Sequence, residues 1–227
     1  MRYLVTGANR GIGLEFVKQL TSRGEEVIAT ARNVDDAKAL KTLAGTHNNL
    51  TIISLDVSKD DSIDALSASV GEELDVLINN AGCYGHSGVF PDLDFDLLER
   101  DYRINAIGTL KVSAALLESL KKGKGKIIAS VTSKMGSIGD NSSGGSYSYR
   151  MSKTGLNMAS RSMAHDLSKH DISVFVLHPG WVQTDMGGSN ALINTQTSVE
   201  GMLKTIDKAT LDHSGRFWEW NGNEIQW

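Results

Sequence analysis

The stretch YLVTGANRGIG, at residues 3–13, decides the fold of this chain of 227 residues. It opens as a short apolar strand, and from Gly11 to Ser22 the apolar residues recur at helical spacing. Gly7, Gly11 and Gly13 stand at the turn between the two, where glycines let backbone N–H groups approach a pyrophosphate at a helix N-terminus. The spacing is G-x-x-x-G-x-G and differs from the G-x-G-x-x-G dinucleotide fingerprint, so a plain glycine turn remains the alternative.

The remainder of the chain alternates between strand and helix patterns. We predict strands at 3–6, 26–31, 50–55, 74–79, 125–131, 172–178 and 216–220, and helices at 11–22, 34–43, 60–70, 95–122, 147–169 and 198–211. This alternation implies a parallel sheet with helices on both faces, a doubly wound Rossmann-type α/β fold of three layers. No linker or repeat interrupts it, so we expect residues 1–227 to form one domain, with its ligand cleft at the carboxyl ends of the strands.

The composition of the chain argues against several classes of binding partner. The net charge of -4 gives no electrostatic footprint for nucleic acid or for an anionic membrane. No apolar run approaches the ~20 residues of a membrane span, and we expect no metal ion in the site. A single cysteine, Cys83, excludes an intramolecular disulfide and fits a reducing compartment, so the expected location is cytoplasmic.

Tyr149 and Lys153 are the candidate pair for proton chemistry. They lie four residues apart and therefore share one face of the predicted helix at 147–169. A nearby ammonium favours phenolate over phenol, so we expect Lys153 to lower the pKa of Tyr149. Bringing a tyrosine from ~10 to ~7 takes about 4 kcal/mol of differential interaction, which we expect from one desolvated lysine beside a cationic cofactor ring. The residue four positions after Tyr147 is Met151, so Tyr147 lacks a lysine that could activate it. The alternative interpretation of Tyr149 and Lys153 is that they are two polar residues on a solvated helix face.

These motifs, taken in order along the chain, resemble those of the short-chain dehydrogenase/reductase family. T-G-x-x-x-G-I-G stands at 6–13, N-N-A-G at 79–82, an asparagine at Asn105 in a long helix, and P-G at 179–180 with Thr184 downstream. Within the family, the run LHPGWVQTDMGG from Leu177 is similar to the C-factor and sniffer-type carbonyl reductases. The resemblance covers the whole chain.

The resemblance implies a role for each candidate catalytic residue. Tyr149 would protonate the carbonyl oxygen during reduction and deprotonate the alcohol in the reverse direction. Lys153 would lower the tyrosine pKa and hydrogen-bond the nicotinamide ribose. Asn105 would hold a water that relays protons toward Lys153; its alternative is to satisfy local backbone groups.

The serine that would hold the carbonyl oxygen is less directly placed. The family has it in an S-x-x-G context 13 residues before the tyrosine, and that position is Gly136 here. Ser133 supplies S-x-x-G with a spacing of 16, and the extra residues would fall in the glycine- and serine-rich loop at 138–146, where insertions cost little. Ser130 and Ser137 are the rivals.

The resemblance also implies a cofactor site along the carboxyl ends of the strands. Two of the expected residues have a structural interpretation as well. Asp56 could instead accept hydrogen bonds in a turn before Ser58, and Asn79 could instead shape the turn at the strand end. The complete set of expected cofactor residues is Gly7, Asn9, Arg10, Gly11, Ile12, Gly13, Arg32, Asp56, Val57, Asn79, Asn80, Ala81, Gly82, Tyr149, Lys153, Pro179, Gly180, Val182 and Thr184.

Charge at the end of the second strand predicts which nicotinamide cofactor binds. NAD sites place an acid there, on the ribose 2′-OH, but residues 29–32 read ATAR. Arg32 and Arg10 can both reach a 2′-phosphate, and arginine pairs well with phosphate oxygens. Asp35 and Asp36 come later and are predicted in the first turn of the following helix. We therefore predict NADP(H) over NAD(H).

Several further side chains receive structural interpretations. We expect Ser58 to cap the helix at 60–70 and the long helix to bend near Gly108. His178 is predicted as a packed strand-end residue and Cys83 as a small buried side chain. The acidic run at 92–101 is predicted to be a solvated helix face.

Two functional classes follow. The first is an NADP(H)-dependent oxidoreductase acting on a small-molecule carbonyl or alcohol. The second is a cofactor-binding regulatory or signalling protein on the same fold, with little dependence on turnover. The complete catalytic set favours the enzyme, and family members pair through the helices predicted at 95–122 and 147–169, so a homodimer or homotetramer is expected.

Overall fold

The computed structural model describes all residues from Met1 to Trp227. Seven strands form one parallel sheet in the order β3-β2-β1-β4-β7-β8-β9. The strands are β1 (Arg2–Val5), β2 (Glu26–Ala31), β3 (Leu50–Ser54), β4 (Val76–Asn79), β5 (Gly88–Val89), β6 (Asp92–Leu93), β7 (Ile127–Val131), β8 (Ser173–His178) and β9 (Phe217–Glu219), of which β5 and β6 make a separate small hairpin. The chain steps outward from β1 to β3 and returns to β4 on the other side of β1, which puts the topological switch point, and hence the expected ligand crevice, between β1 and β4.

Nine α-helices connect the strands. They are α1 (Gly11–Ser22), α2 (Lys38–Ala44), α3 (Asp60–Asp64), α4 (Leu66–Val70), α5 (Phe95–Tyr102), α6 (Thr109–Ala115), α7 (Leu117–Lys122), α8 (Tyr147–Leu167) and α9 (Thr195–Asp207). Residues Arg103–Gly108 form a π-helical turn between α5 and α6.

The sheet separates two apolar cores because successive side chains of a strand point to opposite faces. In β1, Tyr3 and Val5 pack into the core that α1, α2 and α9 cover, whereas Leu4 packs into the core on the other side. That second core receives side chains from α3, α4, α6, α7 and α8. The predicted three-layer, doubly wound fold is confirmed.

Several predicted element details are wrong, each for a local reason. The second helix begins at Lys38 and not at residue 34, because Asn33 closes a turn with Asp35 and Asp36. Asp35 and Asp36 therefore precede the helix and are not in its first turn.

Two further helix predictions change in the structure. Ser58 does not cap α3: the N-cap position is Lys59, and the Ser58 hydroxyl donates to Asp56 instead. The long helix predicted at 95–122 is divided by the π-helical turn, whose last residue is Gly108. A Cβ at Gly108 would lie 2.5 Å from the Val57 carbonyl oxygen, so glycine permits this close approach.

The acidic run at 92–101 is only partly solvated. Asp94 caps α5 by accepting a hydrogen bond from the Leu97 N–H at 3.0 Å. Asp101, in contrast, is completely buried. Periodicity alone did not reveal this burial, because the chain segment that covers Asp101 comes from residues 83–87. No helix of the chain is both long and apolar enough to cross a membrane.

Candidate active site

The glycine turn and the N-N-A-G motif meet at the switch point between β1 and β4. The Thr6 hydroxyl oxygen accepts hydrogen bonds from the backbone N–H groups of Asn80 and Ala81, both at 2.9 Å. The Asn80 side chain returns two bonds, to the carbonyl oxygens of Thr6 at 3.0 Å and Gly7 at 3.1 Å. Two motifs separated by some 70 residues in sequence therefore form one rigid unit.

Glycine is required in this unit for steric reasons. Gly7 has a φ of +63°, and a Cβ there would lie 2.8 Å from the Ala81 Cα. A Cβ at Gly13 would lie 2.3 Å from the Gly7 carbonyl oxygen. The N-terminus of α1 has no side-chain cap and no acidic residue in its first turn, so its N–H groups are available to an anion. The cradle fits a dinucleotide pyrophosphate.

Asn79 has a structural role. Its side chain is buried and donates to the Ser113 hydroxyl at 3.1 Å, with Ser130 at 3.5 Å on the other side. The amide therefore ties β4 to α6 and β7. Its neighbours Asn80, Ala81 and Gly82, and not Asn79, present the motif to the cleft.

The two candidate arginines lie in different electrostatic surroundings. Arg32 is exposed just after β2, and no carboxylate forms an ion pair with it. Arg10 pairs with Asp185 at 2.9 Å, and both side chains are largely exposed. Asp35 is paired with Lys41 and does not compete for Arg32. Arg32 is thus free of ion pairs at the end of β2, although its charge acts on the Asp56 carboxylate after β3.

Asp56 is a turn acceptor after β3. One carboxylate oxygen accepts from the backbone N–H of Ser58 at 3.0 Å and from its hydroxyl at 2.6 Å. Burial would raise the pKa of Asp56, but these bonds and the charges of Lys59 and Arg32 lower it below its usual range. Val57 follows it and packs against the π-helical turn at Gly108.

The segment after β8 forms the far wall of the cleft. Gly180 has a φ of +84°, and a Cβ there would lie 2.7 Å from Ile193. Val182 is buried, and the Thr184 hydroxyl accepts from the Gly187 N–H at 3.1 Å. A Cβ at Gly11 would touch the Thr184 methyl at 3.4 Å, so this segment reaches across to the glycine turn. The carbonyl oxygen of Pro179 accepts from Ser198, which anchors the segment to α9.

Tyr149 and Lys153 lie side by side on α8, as their spacing predicts. The Lys153 ammonium is 5.7 Å from the centroid of the Tyr149 ring and donates to the Val131 carbonyl oxygen at 3.0 Å. Burial lowers the pKa of Lys153 to about 8. Burial also raises the pKa of Tyr149 to about 12, and the interaction with Ser133 offsets only part of this shift. In the protein alone, desolvation of the phenolate outweighs the favourable interactions. The lowered pKa predicted for Tyr149 requires Lys153 together with a cationic cofactor ring, and it stays a prediction.

Of the three candidate serines, Ser133 is the one that lowers the pKa of Tyr149, offsetting part of the effect of burial. Its hydroxyl oxygen also accepts from the Met135 N–H at 3.1 Å. Its two rivals have other partners. Ser130 lies beside the Asn79 amide at the end of β7. The Ser137 hydroxyl donates to the Gln226 carbonyl oxygen at 2.8 Å, which holds the C-terminal segment.

Asn105 lies in the π-helical turn, a distortion frequently found at functional sites. Its side chain exchanges hydrogen bonds with the backbone of Cys83, at 2.9 Å to the N–H and 3.0 Å to the carbonyl oxygen, and also donates to Ser152. A Cβ at Gly82 would lie 3.0 Å from the Asn105 carbonyl-type oxygen and 3.4 Å from the Lys153 ammonium. Asn105 and Lys153 therefore converge beside Gly82.

Sequence reasoning missed Tyr84. Its ring lies 4.8 Å from the Tyr149 ring, centroid to centroid, and its hydroxyl is 2.9 Å from the Ser146 hydroxyl. The signal available in the sequence was its position two residues after the N-N-A-G motif, on the same strand end as the cofactor unit. His178 stays neutral at physiological pH because burial lowers its pKa to about 4, in keeping with the packed strand-end residue that the sequence predicts.

Comparison with known proteins agrees with this geometry. The family model for short chain dehydrogenase matches residues 2–192. C-signal of Myxococcus xanthus is 49% identical over 154 residues, covering 68% of this chain and 93% of that protein. The carbonyl reductase Sniffer of D. melanogaster has a TM-score of 0.96 at 35% identity, covering 100% of this chain and 99% of that one.

A second solved structure is as similar. The NADPH-bound carbonyl reductase from chicken fatty liver has a TM-score of 0.94 at 38% identity, covering 100% of this chain and 98% of that one. The chain is therefore an oxidoreductase and belongs to the short-chain dehydrogenase/reductase family, in the group of C-signal and the Sniffer-type carbonyl reductases.

Proposed function

We propose that this chain is an NADP(H)-dependent carbonyl reductase in which Tyr149 is the general acid. The observation that carries the proposal is the position of the Tyr149 ring, beside Ser133 and Lys153, with the glycine cradle on the same edge of the sheet. The similarity to a carbonyl reductase whose structure contains NADPH supports the choice of cofactor.

The residues of the cleft fit a dinucleotide. The open N-terminus of α1 and the glycines of the turn would hold the pyrophosphate, and Arg32 would meet the 2′-phosphate. Pro179, Gly180, Val182 and Thr184 would line the nicotinamide end. When bound, NADPH supplies the hydride, and the protein supplies orientation and the proton.

Tyr149 is suited to give a proton. With a pKa of about 12 its phenol stays protonated at neutral pH, which is the form that donates to the carbonyl oxygen as negative charge develops there. Ser133 would hold the same oxygen by a hydrogen bond. Lys153, positively charged below its pKa of about 8, would stabilise the phenolate left behind. Asn105, beside Lys153, would hold the water from which the proton is replaced.

The test is a screen of aldehydes, ketones and quinones with NADPH absorbance as the readout, run on wild type, Tyr149→Phe and Tyr147→Phe. Wild type should reduce at least one class, and Tyr149→Phe should lose about 10²–10⁴-fold in turnover while NADPH affinity stays within a few-fold. Tyr147→Phe should retain wild-type activity, since Tyr147 lacks the lysine neighbour. Full activity of Tyr149→Phe would refute the proposed mechanism.

A regulatory role is the second candidate, and the similarity to the protein named C-signal favours it. It would use the same cleft to bind the cofactor without depending on turnover. Cofactor binding with no reduction of any compound in the screen would favour it over the reductase.

We also propose a homodimer built on α5, the π-helical turn, α6 and α8. These helices expose apolar side chains that a second copy would cover: Phe95, Tyr102, Ile107, Leu110, Met151 and Met158. Sedimentation at micromolar concentration should give a species larger than the 24.5 kDa monomer, and a monomer would contradict it. The cytoplasmic location stays a prediction.

A further inference from the structure

Asp101 is a completely buried carboxylate on α5, outside every family motif described above. It accepts hydrogen bonds from the Gly85 N–H at 2.9 Å, the Cys83 thiol at 3.2 Å and the Arg100 guanidinium at 2.8 Å. Burial would raise the pKa of Asp101, but the bonds from Arg100 and Cys83 and the charge of Arg100 lower it below its usual range. A buried carboxylate that accepts this many hydrogen bonds is held in one position by the groups around it, unlike a solvated surface carboxylate.

Two of the three donors, the Gly85 N–H and the Cys83 thiol, belong to one segment, Cys83–Ser87, which follows the N-N-A-G motif. Gly85 is buried, and a Cβ there would lie 2.9 Å from the Asp101 carboxylate, so glycine lets the backbone approach. Asn105, four residues after Asp101 and on the same face, bonds both backbone groups of Cys83. The segment is therefore held on its α5 side by an acid and an amide one helical turn apart.

The start of α8 holds the same segment from the opposite side. The Ser148 hydroxyl donates to the Gly85 carbonyl oxygen at 2.9 Å, and the Ser148 N–H donates to the Ser87 hydroxyl at 3.1 Å. Tyr84, inside this segment, places its ring 4.8 Å from the ring of Tyr149. Tyr149 directly follows Ser148 in the chain. The hydrogen bonds of Ser148 therefore fix the segment that carries Tyr84 beside Tyr149, and the two rings are in contact at an interplanar angle of 57°.

We propose that Asp101 is a positioning residue for carbonyl reduction, which fixes the Cys83–Ser87 segment so that Tyr84 forms the wall beside the Tyr149 hydroxyl. The inference rests on the proposed function of Tyr149. Asp101 does not touch the reacting atoms; it acts through Gly85 and Cys83. Tyr84 then limits where the substrate carbonyl can lie relative to the phenol.

The first test measures position without turnover. In Asp101→Asn, hydrogen exchange of the backbone amides in Cys83–Ser87 should accelerate by about 10-fold or more, because the charged acceptor of Gly85 is lost. Asp96→Asn is the matched control: the same substitution in the same helix, at an exposed residue in its first turn, should leave exchange unchanged. Unchanged protection of the segment in Asp101→Asn would overturn the proposal.

The second test measures the reaction, with NADPH and whichever aldehyde, ketone or quinone wild type reduces fastest. Asp101→Asn should lower kcat/KM on the order of 10-fold to 100-fold, the loss that a 1 Å misplacement can cause, while NADPH affinity stays within about threefold. If exchange accelerates but kcat/KM does not change, the positioning role is refuted, whereas the proposed function stands as long as Tyr149→Phe is inactive.

A double-mutant cycle with Tyr84→Ala separates positioning from general destabilisation. If Asp101 acts through Tyr84, the double variant should lose less in kcat/KM than the product of the two single losses, and a fully multiplicative loss would refute the link. Should Asp101→Asn fail to fold, Ser148→Ala removes the opposing hydrogen bond to Gly85 and should show the same loss of turnover with intact NADPH binding. Wild-type turnover in Ser148→Ala would equally overturn the proposal.

Discussion

The ammonium of Lys153 lies 5.7 Å from the centre of the Tyr149 ring and is itself buried, with the Val131 carbonyl oxygen as its hydrogen-bond acceptor. Burial acts on both side chains in opposite senses. It disfavours the charged form of each, so the pKa of Lys153 falls to about 8 and that of Tyr149 rises to about 12. The site thus holds a buried cation beside a protonated phenol, and in the proposed mechanism this pair lowers the stability of the fold in exchange for activity.

Replacing Lys153 by methionine should stabilise the protein while abolishing turnover. The shift of the Lys153 pKa from 10.5 to about 8 corresponds to about 3 kcal/mol of burial cost at neutral pH. The substitution also removes the hydrogen bond to Val131, which destabilises the fold by about 1–2 kcal/mol. Urea unfolding at pH 7 should therefore show a net increase of roughly 1–2 kcal/mol in the free energy of unfolding.

The gain from Lys153→Met should shrink as pH rises from about 8 to 10.5. In this range the folded wild type has lost the Lys153 proton while the unfolded chain keeps it, so the unfolded state binds more protons and wild-type stability increases with pH. The control is Lys169→Met, at an exposed residue, which should change stability by no more than about 0.5 kcal/mol. A destabilised Lys153→Met variant at pH 7 would contradict the assigned burial cost.

Alanine substitutions at the three candidate serines should differ in whether they reduce turnover or stability. Ser133→Ala should reduce turnover by about 10²-fold or more, because Ser133 is the serine that interacts with the Tyr149 side chain. Ser137→Ala should instead lower the melting temperature with little loss of turnover, because it removes the anchor of the Gln226 carbonyl oxygen. Ser130→Ala should resemble Ser137→Ala. Turnover lost in Ser130→Ala or Ser137→Ala and kept in Ser133→Ala would show that the serine is misassigned across the lengthened loop.

The glycine turn allows a steric prediction. A Cβ at Gly13 would lie 2.3 Å from the Gly7 carbonyl oxygen and 2.5 Å from the Asn80 amide nitrogen. These two atoms hold each other in place, because the Asn80 amide donates to the Gly7 carbonyl oxygen. Gly13→Ala should therefore destabilise the fold by about 1–3 kcal/mol and displace the turn that would hold the pyrophosphate. Thermal unfolding and NADPH titration measure the two effects. Gly45→Ala is the control, since its Cβ would have ordinary contacts from 3.4 Å outward; equal behaviour of the two variants would contradict the steric argument.

The sequence predicted best those features that depend on local spacing. The strand ends, the helix face shared by Tyr149 and Lys153, and the glycine turn all follow from periodicity and from residue type. The structure adds what periodicity cannot contain. The pKa of Tyr149 depends on how deeply the ring is packed, and the burial of Asp101 depends on a segment 16 residues earlier in the chain that folds over it. The π-helical turn at Asn105 likewise has no residue pattern that distinguishes it from an ordinary helix.

We predict that cofactor selectivity depends on Arg32. This side chain is exposed at the end of β2 and forms no ion pair, and the Asp56 carboxylate, whose pKa its charge lowers, already accepts from Ser58. The 2′-phosphate of NADPH carries close to two negative charges near neutral pH, and a charge-assisted hydrogen bond contributes about 1.5–3 kcal/mol, less where solvent screens it. Arg32→Ala should therefore reduce the ratio of kcat/KM for NADPH over NADH by roughly 10-fold to 100-fold. Most of this change should come from a lower kcat/KM for NADPH.

Arg10 supplies the matched comparison for Arg32. Its guanidinium is already paired with Asp185 at 2.9 Å, so Arg10→Ala should change the selectivity ratio less than Arg32→Ala does. Adding Asp at Ala31 to Arg32→Ala should reverse the preference, because a carboxylate repels the phosphate and accepts from the 2′-OH. The preference of wild type should also weaken as salt rises, since the pairing is near the surface. A wild type that prefers NADH, or an Arg32→Ala variant with an unchanged ratio, would show that Arg32 does not read the ribose.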